Sequence, residues 1–330
     1  MTGLATGLAN ATVNASTVLI LAGLGEVISE RAGVLNLGVE GIMLVGALSG
    51  FIATSITGSY WLGFGVAVVA GGAFSLIHGV LCISLNADQA VSGIMLTLLG
   101  TGLTTFLGNP WSGQSIEGFP ERTVPVVGDL LIEIPVFGSA LFKSTMTDYI
   151  ALFLVPVVWL FLYRTNIGLE LISVGEDPET ADTMGIDVFK MRYLAVILGG
   201  MFAGAAGAHL SLAFNEIWSA SMTAGQGWIA VALVIFARWR PERILIGAYL
   251  FGLFNALQLY SQGIDFSLAA TSIAAGLLNP ILGFLSNPTI MATYPYIVTV
   301  LVLVITVARA ENRQLAQPSA LVQSYNRESE

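Results

Sequence analysis

The chain has 330 residues, of which 55% are hydrophobic and only 10% charged, and its formal net charge is -9. An ordinary soluble domain carries about 25% charged residues and has no core that could absorb this much apolar surface, so a soluble globular fold is excluded. The acidic balance also argues against nucleic acid, which a basic face would attract. The one cysteine, Cys82, lies in an apolar run and can form no intramolecular disulfide; a small buried hydrophobe is its expected role.

Residues 1–10 lack the basic start and small-residue cleavage site of a signal peptide, so the first apolar segment is expected to stay as an anchor. Apolar runs of bilayer length predict spans at residues 13–30, 38–57, 61–83, 90–108, 147–163, 193–213, 219–237, 244–262 and 294–308. The expected fold class is an all-α polytopic membrane protein of about nine transmembrane helices, in a range of about eight to ten. Residues 1–308 would form the transmembrane domain and 309–330 an acidic cytoplasmic tail. Residues 109–147, with Pro110, Pro120, Pro125 and Pro135 and β-prone runs at 123–127 and 130–134, read as a small folded loop outside the lipid. Residues 263–291 are apolar but broken by Asn279-Pro280 and Asn287-Pro288; a re-entrant or interfacial pair of short helices is expected, with a helical hairpin as the competing reading.

Basic residues set the orientation, because cytoplasmic loops are enriched in Lys and Arg. Arg164, Lys190 and Arg192, then Arg238, Arg240 and Arg243, then Arg309 and Arg313 fall on one side, which should be cytoplasmic. The loop carrying only Arg122 and Lys143 falls outside. Counting back through the crossings puts the N-terminus outside, a parity that a broken first or second helix would upset.

Four groups of residues could carry function. Residues 26–41, GEVISERAGVLNLGVEG from Gly25, place Glu26, Glu30 and Glu40 at or near membrane depth. Ionisable groups there are costly and by default face a cavity, partner or pathway. Gly33, Gly38 and Gly41 loosen the backbone, so a broken helix with exposed amides and carbonyls near Asn36 is expected. The blander readings are a solvated turn at Glu30 and Arg31 and a paired structural carboxylate at Glu40. Asn86, Asp88, Gln89 and Ser92 open the fourth span, with Gln89 and Ser92 on a face with Met95 and Leu96. Amides there could hydrogen-bond a base or sugar, although a polar cap at Asn86 or Asp88 explains them as well.

Asn215 and Glu216 end one span and Gly225-Gln226-Gly227-Trp228 begins another, where small residues also permit close helix packing. Residues 176–185, EDPETADTMG, read as a capped two-turn helix: Asp177 at the N-cap, Pro178 at the first position, Glu179 at the positive end of the dipole and Gly185 closing it. Ala181, Met184 and Ile186 would give it an apolar face for a groove, with Gly175 a flexible lead-in, unless the helix merely tidies a loop. His78 and His209 stand in apolar spans with no carboxylate or thiol at metal-ligand spacing, so packed imidazoles are expected rather than a metal site. There is no phosphate loop and no nucleophile elbow, so any ATP hydrolysis belongs to another chain and a membrane enzyme is disfavoured.

Taken in order, residues 25–48, 86–107, 164–192 (RTNIGLELISVGEDPETADTMGIDVFKMR), 199–212 (GGMFAGAAGAHLSL), 225–241 (GQGWIAVALVIFARWRP) and 294–304 resemble the permease family of branched-chain amino acid, ribose-type sugar and nucleoside ABC importers. The ER-G-V-L-N-L-G-V-EG block followed by Gln-x-x-Ser-Gly looks most like the nucleoside branch. The resemblance implies a permease subunit that forms the translocation pathway, with a second homologous permease, a cytoplasmic ABC ATPase that uses ATP and Mg, and an external substrate-binding lipoprotein as partners. It implies no cofactor bound by this chain and a multi-pass place in the cell membrane with a cytoplasmic C-terminus. It puts ATPase coupling on the loop at 164–192, at Gly175, Glu176, Asp177, Pro178, Ala181, Met184, Gly185 and Ile186. Asn36, Glu40, Gln89, Ser92, Asn215, Gln226 and Trp228 are the candidate pathway residues. A nucleoside is the expected substrate, with a sugar or branched-chain amino acid as alternatives. A stand-alone ion-coupled transporter using Glu40 and Glu26 is the reading from another class. Residues 263–291 and the acidic tail depart from the family pattern.

Overall fold

The computed structural model describes residues 2–123, 134, 137–261 and 317–325, with isolated positions between 283 and 304. Among these residues, seven helices are long and apolar enough to cross a membrane. They are α1 (Thr2–Arg31), α2 (Val39–Thr57), α3 (Tyr60–Gly79), α4 (Gln89–Gly108), α6 (Met146–Arg164), α9 (Val188–His209) and α11 (Pro241–Ser261). Between them lie α5 (Phe137–Phe142), α7 (Asn166–Glu176), α8 (Pro178–Thr183) and α10 (Gln226–Ala237). The span expected at 294–308 and the segment 263–291 fall wholly or largely outside the described residues.

Several helices begin where the adjoining sequence supplies a cap. The Ser59 hydroxyl accepts from the Leu62 amide, Asp88 from Val91, and Asp187 from Lys190. Thr145 and Asp148 form a reciprocal capping box that opens α6. α3 and α9 each end in a wide π turn, Val80–Ser84 and Leu210–Phe214.

α1 is apolar all round and is the axis of the bundle, packed by α6, α9, α10 and α11. On its flank, α2, α3 and α9 cross at glycines. A Cβ on Gly46 would lie 2.6 Å from Gly204 Cα, and one on Gly71 2.7 Å from the same atom. Lipid supplies no hydrophobic drive between helices, so close backbone approach of this kind is how membrane helices gain packing energy. α4 leans on α2 through Gly100 and on the preceding turn at Leu37 and Gly38 through Gly93, and its other face, with Leu98, Leu103 and Phe106, is exposed.

One end of the bundle gathers the basic residues. There the end of α1, the α6–α9 connection and the turn after α10 meet, because the Arg31 guanidinium donates to the Trp239 carbonyl and approaches Glu176 at 3.6 Å. At the opposite end, residues 113–119 lie over the end of α9, with Ile116 N donating to Glu216 O and Phe119 N to Leu212 O. A two-stranded antiparallel pair, β1 (Glu121–Thr123) and β2 (Lys143–Thr145), lies beyond them. The β-prone run expected at 123–127 is therefore described only at its first residue, and the run at 130–134 only at its last.

Two sequence expectations are corrected here. The seventh span does not begin at 219: residues 220–225 are turns, with Ala224 at φ +46° and Gly225 at φ +82°, and helix starts only at Gln226. Hydropathy cannot register a left-handed backbone. Glu30 and Arg31 are not a solvated turn either, since both are buried, Glu30 accepting from the Trp239 indole N–H.

Candidate functional site: a half-helix inside the bundle and a short helix beyond it

α10 has 12 residues, which at 1.5 Å per residue is about 18 Å, roughly half the hydrocarbon thickness. Its C-terminal end meets Trp239 and Glu30 at the basic end, so its N-terminus stops inside the apolar layer. Four amides there have no partner within the helix and need one. Glu40 of α2 supplies it: Oε1 accepts from Thr223 Oγ1 at 2.6 Å and from Gly225 N at 2.9 Å, and Oε2 accepts from Gly227 N at 2.6 Å. A carboxylate at this end also meets the positive pole of the helix dipole. Gly227 is required for the approach, since a Cβ there would sit 2.6 Å from the Glu40 backbone nitrogen.

Beside this junction is a cavity of about 240 Å³ lined by residues that include Gln226, Asn255, Gln258, Phe251 and Tyr296. The Gln226 side-chain oxygen is buried there with no hydrogen-bond partner among the described residues. Asn255, Gln258, Phe251 and Tyr296 escaped the sequence reading. Their signal was Asn255 and Gln258 three residues apart in an otherwise apolar run, which places both on one helix face.

The chain does break after α1, as expected near Asn36, but its backbone is not exposed: Asn36 is fully buried. Side chains of α3 and α4 stitch it down. Leu35 N donates to Gln89 Oε1 at 2.8 Å, His78 Nε2 pairs with Leu35 O at 3.0 Å, and Thr97 Oγ1 donates to Leu37 O at 3.0 Å. Ser92 Oγ holds the other His78 nitrogen at 3.0 Å. Gln89 and Ser92 thus serve this turn. Met95, expected on their face, is exposed on the other side. Asn215 is exposed at the end of α9, and Trp228 is 40% exposed and does not line the cavity. Of the candidate pathway residues, the fold brings Glu40 and Gln226 to one junction, groups Asn36 with Gln89 and Ser92 at the stitched turn, and leaves Asn215 and Trp228 apart.

His209 is bracketed by Thr147 Oγ1 at 2.8 Å and Asn14 O at 3.1 Å, a satisfied imidazole of the kind expected. For His78 the sequence reading overlooked a thiol four residues on: Cys82 Sγ lies 3.5 Å from its Nδ1. Among the described residues no group of three metal-ligating side chains accompanies it.

At the basic end, α8 is capped as its sequence predicts. Asp177 Oδ1 accepts from Thr180 N at 3.0 Å and Oδ2 from the Thr180 hydroxyl at 2.6 Å, Pro178 holds the first position, and Gly185 turns out at φ +87°. The apolar face divides. Ala181 is buried and Ile186 half-buried against Val174 and Val188, while Met184 projects 78% exposed. Gly175 is no flexible lead-in: it is buried in α7, where a Cβ would run into the Arg31 carbonyl. The exposed residues of this loop are Glu176, Asp177, Glu179, Thr180, Thr183, Met184, Gly185 and Asp187.

The Thr180 hydroxyl and amide hold the Asp177 carboxyl below the usual carboxylate range. Because its folded-state value is depressed, the cap contributes above the unfolded value and is lost as pH falls through the folded one. Hydrogen-exchange protection of residues 180–184 is expected to persist at about pH 5 and to fail only in stronger acid. Asp177→Ala should remove that acid transition.

Residues 8–307 match the family described as branched-chain amino acid transport system / permease component. The chain belongs to this family. The permease is 64% identical over 324 residues, 98% of both chains, to a relative from Haloferax volcanii that carries the provisional name of a glucose ABC transporter permease protein, TsgC13. It is 36% identical to the guanosine ABC transporter permease protein NupQ of Bacillus subtilis, over 91% of this chain and 92% of that one. It is 37% identical to the nucleoside ABC transporter permease protein NupC of Lactococcus lactis, over 73% and 78%. The permease is thus a transport subunit rather than an enzyme, and membership implies an ATPase and a substrate-binding protein as partners.

Proposed function

We propose that this permease forms part of the pathway by which an ABC importer moves a neutral, hydroxyl-rich solute, a hexose in the first place and a nucleoside in the second. The cavity beside the start of α10 carries the reading. It is lined by the side chains of Gln226, Asn255 and Gln258 and by the rings of Phe251 and Tyr296, and the nearby Glu40 carboxylate accepts from three donors. Amides and aromatic faces suit hydroxyls and flat rings, and the described lining residues, none of them charged, suit a neutral ligand. The extensive likeness to the relative named for glucose favours the sugar, and the rings and the nucleoside relatives keep the second reading. A thermal-shift titration of the cognate external receptor with glucose, other hexoses, guanosine and leucine tests the order. Stabilisation by guanosine and not by hexoses would reverse it, and stabilisation by leucine alone would overturn both.

We read the basic end, which holds α8 and residues 317–325, as cytoplasmic, because cytoplasmic loops are enriched in Lys and Arg. The N-terminus and the β1–β2 pair are then outside. The chain itself binds no cofactor in this scheme; ATP and Mg are used by the ATPase, and a second homologous permease completes the pathway. α8 is the ATPase docking helix, presenting Met184 beside the polar Asp177, Glu179 and Thr180. Nucleotide-driven closure of the ATPases shifts α8, and because the α7–α8 connection joins α6 to α9, their relative tilt changes. Such a shift does work only where the docking energy differs between the two states. Changing Asp177 to Lys and Met184 to Glu together is expected to abolish transport and loosen ATPase co-purification while the chain stays inserted. Undiminished co-purification would remove α8 from the docking role.

A further inference from the structure

The C-terminal segment 317–325 lies in the angle between α8, α7 and the start of α9. Ala320 N donates to Gly175 O at 2.9 Å, satisfying a carbonyl in the last turn of α7. Ala320 and Leu321 are buried, Leu321 within the main apolar cluster, and the Ala320 carbonyl lies against Gly33 at the end of α1. Arg192, buried in the first turns of α9, donates from Nη1 to Gln323 O at 3.1 Å. Tyr325 is 8% exposed and packs with Val174, Ala181 and Val188; its ring centroid is 5.8 Å from that of Phe189 of α9, and its hydroxyl donates to Asp182 Oδ2 of α8 at 3.0 Å.

We propose that residues 318–325 are a positioning element of the coupling apparatus, a strut through which α8 is fastened to α9 and to the end of α1 so that the three move together. This rests on the docking role given to α8 above. Asp182 and Ala181 are on α8 itself, Phe189 and Arg192 are on α9, and one short segment holds both sets. A six-residue helix attached only by its own flanking turns would yield locally when pushed, because two-turn helices have little stability of their own. Fastened by a buried ring and a hydrogen bond, it passes the displacement to the first turns of α9 instead. Tyr325 is a positioning residue here and touches no transported solute.

The test uses the assembled importer in proteoliposomes, with initial uptake and ATP hydrolysis measured on the same preparation, and the purified permease for hydrogen exchange. Tyr325→Ala is expected to raise exchange at residues 178–186 and to lower solute moved per ATP by about fivefold, the lower range of allosteric coupling effects. Tyr325→Phe keeps the ring and should lie between Tyr325→Ala and the unsubstituted chain. Unchanged exchange in Tyr325→Ala would overturn the strut, and raised exchange with unchanged transport per ATP would overturn its part in coupling. Failure of the docking role is read separately, from ATPase retention by the Asp177 and Met184 double variant, and leaves the exchange result standing.

Discussion

Glu40→Gln is expected to lower the yield of folded permease and to cut uptake by at least about tenfold, although the side chain keeps its size and shape. The reason is the direction of the hydrogen bonds at the start of α10. All three partners of Glu40 donate, and two of them are backbone amides that cannot reverse: Gly225 N on Oε1 and Gly227 N on Oε2. A glutamine must present its NH2 group at one of these positions, so whichever way it turns a donor faces a donor. Loss of a charge-assisted bond together with a buried unsatisfied amide costs about 2 to 4 kcal/mol. The break also loosens the N-terminus of the half-helix that borders the polar cavity, so uptake should fall further than abundance. Uptake per molecule within about twofold of the unsubstituted chain, on the same scale of hydrogen-bond cost, would show that the cap is dispensable. The measurement is initial uptake normalised to the monodisperse permease recovered by size exclusion.

Gly204→Leu is expected to leave essentially no folded permease. Gly204 lies where the backbones of α2, α3 and α9 converge, and even a single Cβ there would strike the Ala67 carbonyl and lie 3.1 Å from Gly71 Cα. Overpacking usually costs about 1 to 3 kcal/mol because side chains can give way; here the obstacle is the main chain of α3, so at least about 3 kcal/mol is expected. Gly102→Leu is the matched control, since that glycine is also helical but a Cβ there meets none of the described residues within 4 Å. It should be recovered at the level of the unsubstituted chain. Equal recovery of both leucine variants from detergent would show that the three-helix crossing contributes little.

How much of this was legible beforehand differs from element to element. The capped helix at Pro178–Thr183 was readable residue by residue, because N-caps, first-position prolines and closing glycines act within a few residues and need no tertiary partner. Its outward face was not. Ala181, Met184 and Ile186 look alike in sequence, and only the packing of Val174, Val188 and Tyr325 decides that two of them turn inward and Met184 is left out. The same holds for the polar residues of the membrane layer. Gln89 and Glu40 both announced themselves as costly groups in apolar surroundings. Which one caps a half-helix beside a cavity and which one ties down a turn depends on residues some 50 and 185 positions away.

From its sequence alone, then, the chain is an apolar, many-helix membrane protein with a capped helix at its basic end, because bilayer-length hydropathy and local capping are properties of short stretches. Its repeated likeness to one permease family was equally open to reading, as six segments in order. Tertiary structure alone decided where a span stops halfway, which carboxylate meets that helix end, and what holds the short helix in place. These are contacts between segments far apart in the chain, set by how closely glycine-lined backbones approach and by where buried donors find acceptors.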